Sequence, residues 1–432
     1  MRTRRIAIVI GISFALLLAG GVGLLRNTKP DAVAVTAPVR LDASPAEVLS
    51  SLQSRLTVAP KDWRSWAELG LVYVQTARRI GDPSFYPKAQ GALERSLSLK
   101  PGNLDALIGM SSLSAARHDF AAALTWGEQA VKAGSYNASA YGVAGDALIE
   151  LGRYPEAFRT FQRMIDLRPD LSSYARASYA RELQGDVAGA ISDMELALQA
   201  ASSPSDAAFA GYQLGELWFN SGRLDRAQAA YGRAAAQDPA YVPAREGLAK
   251  VAAASGKYAR AIALYEWVID HMPLPQYVIE LGDVDTAAGR PGDASHQAEL
   301  LGIEERLARA NGVNLDLEAA TYEADHGHAA VALQAARAEW SRRHSVLVAD
   351  ALAWALYANG RYAEAHAYSV RALSLGTRSA SIWFHRGMIE RALGHRLAAR
   401  DALARALAIN PSFSIRWAPV AKRLLASLGG SR

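Results

Sequence analysis

The stretch GELWFNSGRLDRAQAAYGRAAAQDP, residues 215–239, reads as two short helices broken at a glycine. Gly215 and Ala227 stay small where two helices would touch, and Trp218 and Tyr231 are large enough to wedge between them. Gly222 suits a turn that needs positive φ, and Pro239 stops the second segment. The spacing recurs along the chain. Gly152 and Gly185 lie 33 residues apart, Gly222 and Gly256 34, Gly256 and Gly289 33, Gly360 and Gly394 34. An alanine comes five residues after each such turn: Ala157, Ala190, Ala227, Ala261, Ala294, Ala332, Ala365 and Ala399. Two intervals are longer, 37 from Gly185 to Gly222 and 38 from Gly289 to Gly327, as though a helix or loop were extended there. No alternating strand pattern interrupts the series, so an all-α fold is expected.

Around these anchors the sequence resembles the tetratricopeptide repeat (TPR) family. Gly145, Gly152, Ala157, Phe161 and Pro169 fill one unit, and Gly256, Ala261, Tyr265 and Pro273 another. Trp383, Gly387, Gly394, Ala399, Ala406 and Pro411 fill a unit near the C-terminus, and Trp66, Gly70, Tyr73, Ala89 and Pro101 an early one with an insertion around Asp82-Pro83. The resemblance implies an α-solenoid of helix-turn-helix units wound into a right-handed superhelix. It places about ten repeats over residues 45–413, with a leading half-unit at 45–57 and degenerate units near 104–137, 275–345 and 346–379. Residues 414–432 then form a capping helix and tail, with Leu424, Leu425 and Leu428 covering the last repeat.

Solenoids leave a concave face, and function is expected there. By resemblance to the family, the lining positions in the central units are Asp146, Glu150, Tyr179, Glu182, Tyr212, Glu216, Phe219, Asn220 and Glu246. They make an acidic stripe with aromatic patches, interrupted by Lys250. The TPR proteins that grip C-terminal carboxylates carry Lys, Arg and Asn there, and this chain departs from them. The stripe fits a protein or peptide partner with a basic or amphipathic segment. The plainer alternative is a solvated helix face whose acids balance the arginines of the second helices.

At the other end of the chain, Arg2, Arg4 and Arg5 (segment 1–5) precede residues 6–25, which carry no charge. About 20 residues at 1.5 Å each span a hydrocarbon core, so a single-pass transmembrane signal anchor is expected. Arg26 and Lys29 follow, and the balance favours a cytoplasmic N-terminus with the solenoid extracytoplasmic in the cell envelope. Residues 26–44, with Pro30, Pro38 and many small residues, read as a flexible stalk. The alternative is a cleaved signal peptide and a secreted protein.

Composition narrows the function. The 47 Lys and Arg against 42 Asp and Glu leave only +5 over 432 residues, too little to point to nucleic acid. Only eight basic residues are Lys, which with abundant Ala and Gly reads as the codon bias of a GC-rich bacterial genome. The absence of Cys excludes disulfides, thiolate catalysis and a lipidated cysteine. Glycines sit at helix turns rather than after strands, so no phosphate loop is read, and no nucleophile with its base is legible. Asp325-His326-Gly327-His328 with Glu323 is the one histidine cluster, and it lacks a local third ligand unless His344 reaches it. No enzyme activity, cofactor, metal or small-molecule substrate is expected. The expected function is a membrane-tethered scaffold that binds partner proteins and assists assembly of an envelope complex. A cytoplasm-facing adaptor, or a metal-dependent enzyme or metal-handling protein, are the alternatives.

Overall fold

Aspartate, asparagine and serine side chains start many of the helices by accepting the free amides of the first turn. Asp62 accepts from Arg64 and Ser65, Asn137 from Ala140, and Ser345 from Val348, while Asp170 and Ser173 form a reciprocal box. The computed structural model describes residues 45–429. The expected basic segment, membrane-spanning helix and stalk (1–5, 6–25, 26–44) lie outside the described residues, as does the tail from 430. No described helix is long and apolar enough to cross a membrane.

Among the described residues there are 22 helices and no strands. α1 (Pro45–Val58) stands alone and ten helix hairpins follow. They are α2 (Trp63–Ile80) with α3 (Phe85–Leu99), α4 (Leu104–Ala116) with α5 (Phe120–Ala133), and α6 (Ala138–Glu150) with α7 (Tyr154–Leu167). Next come α8 (Leu171–Leu183) with α9 (Val187–Gln199), α10 (Pro204–Asn220) with α11 (Leu224–Gln237), and α12 (Val242–Ala254) with α13 (Tyr258–His271). Then follow α14 (Pro275–Ala287) with α15 (Pro291–Ala310) and α16 (Asp316–Asp325) with α17 (Ala329–Arg342). α18 (Val346–Ala358) with α19 (Tyr362–Ala372) and α20 (Ala380–Ala392) with α21 (Arg396–Ile409) complete the hairpins, and α22 (Ala418–Gly429) packs on the last.

Within a hairpin and against the next, glycine and aromatic ring share one space. The Tyr231 ring fills the room that a β-carbon on Gly215 or Gly247 would take, and Phe161 does the same against Gly145. The longer glycine intervals have simple causes. α10 runs to 17 residues and α15 to 20, where most helices have 13 or 14.

The hairpin turns close by a repeated device: at the α6–α7 turn, Gly152 N–H donates to Ile149 O and Arg153 N–H to Leu148 O, with Gly152 at φ +77°. His118 occupies the same place between α4 and α5 at φ +60°, the only non-glycine with positive φ among the described residues.

The superhelix is wound tightly enough for its turns to touch. The α6–α7 turn meets the segment before α18, six hairpins further on: Tyr154 Oη accepts the Val346 amide at 2.7 Å, and a β-carbon on Gly152 would lie 2.5 Å from the His344 carbonyl oxygen. Gly185 at the α8–α9 turn is pressed against the Gly376 carbonyl in the same way. At the α10–α11 turn Asn410 Nδ2 donates to Phe219 O at 2.9 Å, and earlier the Asn314 amide donates to Arg117 O at 3.1 Å. Arg343 is the centre of this seam. It is 4% exposed, paired with both Glu150 and Glu339, and its guanidinium lies 4.5 Å from the Phe120 ring centroid.

Candidate partner-binding trough

The first helices of the hairpins put one face toward the axis of this superhelix, and the expected lining residues separate there into two groups. Six come together around Lys250 on α12. Its Nζ donates to Glu216 Oε1 at 2.5 Å and lies 3.2 Å from Glu246 Oε1. Tyr212 Oη donates to Glu246 Oε2 at 3.1 Å, and the Lys250 ammonium sits 5.3 Å from the Phe219 ring centroid and 6.0 Å from that of Tyr212. Asn220 Nδ2 reaches Glu182 Oε1 at 3.4 Å.

The other three do different work. Asp146 is buried in a two-pronged pair with Arg176, at 2.8 and 2.7 Å, which ties α6 to α8. Glu150 belongs to the seam through Arg343. Tyr179 is half-buried, packed between the cores of neighbouring hairpins.

The cluster also takes in residues that the sequence reading passed over. Tyr231 Oη donates to Glu216, and Tyr265 interacts with Glu280, which stands beside Glu246 and Lys250. Tyr231 and Tyr265 hold the wedge position that Phe161 holds in an earlier unit, and their hydroxyls reach the carboxylates. Tyr277 and Tyr241 are also close enough to sense the same charges. The repeat period itself is the signal that finds Glu280: it lies 34 residues after Glu246, as Lys250 lies 34 after Glu216.

Three carboxylates, Glu216, Glu246 and Glu280, therefore face one ammonium. Burial alone would lower the Lys250 pKa, but the three carboxylates outweigh it and push it up, so Lys250 is charged. Burial raises Glu246 and Glu280 first; the Glu280 and Glu216 charges add to the rise at Glu246, while at Glu280 Lys250 and a hydrogen bond with Glu246 oppose it. Glu182 is pushed up to about 7, by burial first and by the Glu216 charge in addition, against the Asn220 hydrogen bond. The tyrosine hydroxyls around the cluster are held protonated by burial and the same charges. With three carboxyl groups to one ammonium and rings around them, the site takes up either protons, which the raised pKa values express, or a further cation.

The histidine cluster is dispersed into local contacts. His326 stacks on Tyr322 with centroids 4.0 Å apart and meets Arg416, His328 bonds to Glu323, and His344 sits edge-on to Trp340. Among the described residues no group of three or more His, Asp or Glu side chains is arranged to hold a metal ion.

No protein of curated function matches the chain in sequence. Several solved structures are similar in part. A thermophilic TPR protein of Thermus thermophilus aligns with 18% identity over 48% of this chain and 99% of its own, at a TM-score of 0.36. Cut9–Hcn1 of the APC/C aligns with 14% identity over 89% and 84%, at 0.39, and the human IFIT1 dimer with PPP-AAAA with 15% over 77% and 79%, at 0.49. Likenesses this loose carry no argument about function. Tetratricopeptide repeat family models match residues 219–279 and, in overlapping and separate stretches, 128–172, 142–207 and 351–412. With those matches set on an unbroken run of helix hairpins, the matched stretches are tetratricopeptide repeats within an all-helical, TPR-like solenoid.

Proposed function

We propose that this protein is a membrane-tethered scaffold whose trough holds a basic or amphipathic segment of a partner protein, in the service of assembling a cell-envelope complex. The observation that carries the binding reading is the gathering at Lys250 of three carboxyl groups, Glu216, Glu246 and Glu280, around one ammonium in a ring-lined site, where an incoming cation displaces the protons that burial favours. An entering guanidinium or ammonium finds carboxylates for its charge and tyrosine and phenylalanine rings for its aliphatic stem. Tethering rests on the uncharged run from Ile6 to Leu25 and the arginines before it.

Fluorescence anisotropy with a labelled amphipathic Arg/Leu peptide tests the binding reading. The double substitution Glu182→Gln and Glu280→Gln should weaken the peptide at least tenfold, about 1.4 kcal/mol. An unchanged affinity would remove the reading. A reporter joined after Arg432 separates the compartments: activity outside the cytoplasm supports the extracytoplasmic scaffold, activity inside supports the cytoplasm-facing adaptor.

A further inference from the structure

Beyond Ile409 the chain does not pass directly into α22. Residues 411–417 form an irregular segment whose contacts reach the first helices α10, α12, α14, α16, α18 and α20. Asn410 is anchored on the Phe219 carbonyl, and the Pro411 ring lies 3.0 Å from where a Gly222 β-carbon would be, both at the end of α10. Ile415 packs on the core shared by α12, α13 and α14. Arg416 donates to Asp283 on α14 at 3.0 and 3.2 Å and to the Asp325 carbonyl of α16 at 3.3 Å, and its Nη2 lies 2.8 Å from His326 Nε2. Trp417 Nε1 donates to Asp325 Oδ1 at 3.0 Å, an oxygen that also accepts Trp354 Nε1 at 2.7 Å. The Trp417 ring stacks on Phe384 of α20, centroids 5.5 Å apart, and meets Trp354 of α18 edge-on at 5.7 Å.

Counted back from the turn glycines, Asp283 and Trp354 stand at the ninth position of their units, Asp325 at the thirteenth and Phe384 at the fifth, the positions that line the concave face. An aliphatic residue, an arginine and a tryptophan are therefore held by acids and rings in the manner of a bound peptide. Charge complementarity is local and specific: burial raises the Asp283 carboxyl while Arg416 draws it back toward the ionised form. Arg416 and Asp283 keep 27% and 21% of their side-chain surface exposed, so water reaches the pair and exchange needs no buried charge to be stranded.

We propose that this acidic and aromatic stretch of the trough, Asp283, Asp325, Trp354 and Phe384, is a receptor for an aliphatic–arginine–tryptophan segment of a partner protein, filled in the resting chain by its own Ile415–Trp417. The lid and the partner then compete for one site. The proposal does not rest on the carboxylates around Lys250, which the test leaves unaltered.

The probe is a fluorescein-labelled peptide with the sequence of residues 410–419, NPSFSIRWAP, added to the full-length protein and to its R416A/W417A variant. The variant, with its own lid weakened, should bind the peptide saturably and at least tenfold more tightly than the wild type. Adding Asp283→Asn to the variant should abolish that gain. A variant with native circular dichroism that shows no saturable binding up to about millimolar peptide overturns the proposal, as does equal binding to wild type and variant. Should the double variant lose native circular dichroism, R416Q alone, which keeps the Trp417 ring in place, carries the same comparison. A concentration-dependent dimer of the wild type in sedimentation, dispersed by the peptide, would assign the site to a second copy of the chain and overturn the reading of a separate partner.

Discussion

At the scale of single residues, Glu304 on α15 is a side chain that the fold buries at a cost. It is fully buried and neither carboxylate oxygen has a hydrogen-bond partner. Burial alone pushes its pKa up to about 8. A folded pKa above the unfolded value of about 4.5 means that folding opposes ionisation. The folded state suffers nothing from this group below pH 4.5, loses stability progressively between about 4.5 and 8 at up to about 1.4 kcal/mol per pH unit, and loses no more above that. Glu304→Gln should flatten this part of the stability profile, and Glu304→Leu should raise the midpoint of urea unfolding at pH 8. Denaturation followed by circular dichroism across that pH range checks both. Glycines offer a second residue-scale comparison. Gly256 and Gly185 both have positive φ, at +71° and +77°, but only Gly185 is pressed against another turn of the superhelix. Gly256→Ala should cost about 1–2 kcal/mol for its left-handed backbone alone. Gly185→Ala should cost clearly more, the excess measuring the contact with Gly376.

At the scale of elements, hairpins were legible and their partners in the next turn were not. The glycine period and the alanine five residues on mark where helices stop and which face packs, because both are local demands of backbone and volume. The pairing of Asp146 with Arg176 spans 30 residues, nearly one repeat. The pairing of Glu150 with Arg343 spans 193, and nothing periodic announces it. Glu150 reads as a groove acid in sequence because its position in the unit is right. Its role changes because the superhelix returns upon itself and brings a guanidinium to it. Arg343→Met removes the buried guanidinium that Glu150 and Glu339 share, leaving Glu339 to Arg342, and should cost about 3–5 kcal/mol. Hydrogen exchange should then rise together at residues 150–154 and 343–348, on opposite sides of the seam. Exchange confined to the second segment would show that the turns are held together by something else.

At the scale of the whole molecule, the trough is a charged interior rather than an open acidic face. Lys250 and the tyrosine hydroxyls draw Glu216, Glu246 and Glu280 into one network. Binding of a basic segment should be pH-dependent in a definite sense. Glu182, raised to about 7 by burial, is protonated below that pH and cannot balance an incoming cation. Affinity for an Arg/Leu peptide should therefore rise as pH goes from 6 to 8, and Glu182→Gln should remove most of that rise. Titrations of the wild type and the variant at three pH values decide it.

The sequence by itself determined that the chain is helical, that it is built of hairpins near 34 residues long, and that acids and rings recur on one face. These follow from turn geometry, helix packing and side-chain volume, which act over a few residues and repeat with the period. Only the tertiary structure decided which acids meet cations, that successive turns press on each other through Gly152, Gly185 and Arg343, and that Arg416 and Trp417 lie in the concave face. Those outcomes depend on the small rotation between neighbouring hairpins, summed over six of them. A slight change in that angle, invisible in any one unit, moves residues about 190 positions apart into contact or out of it.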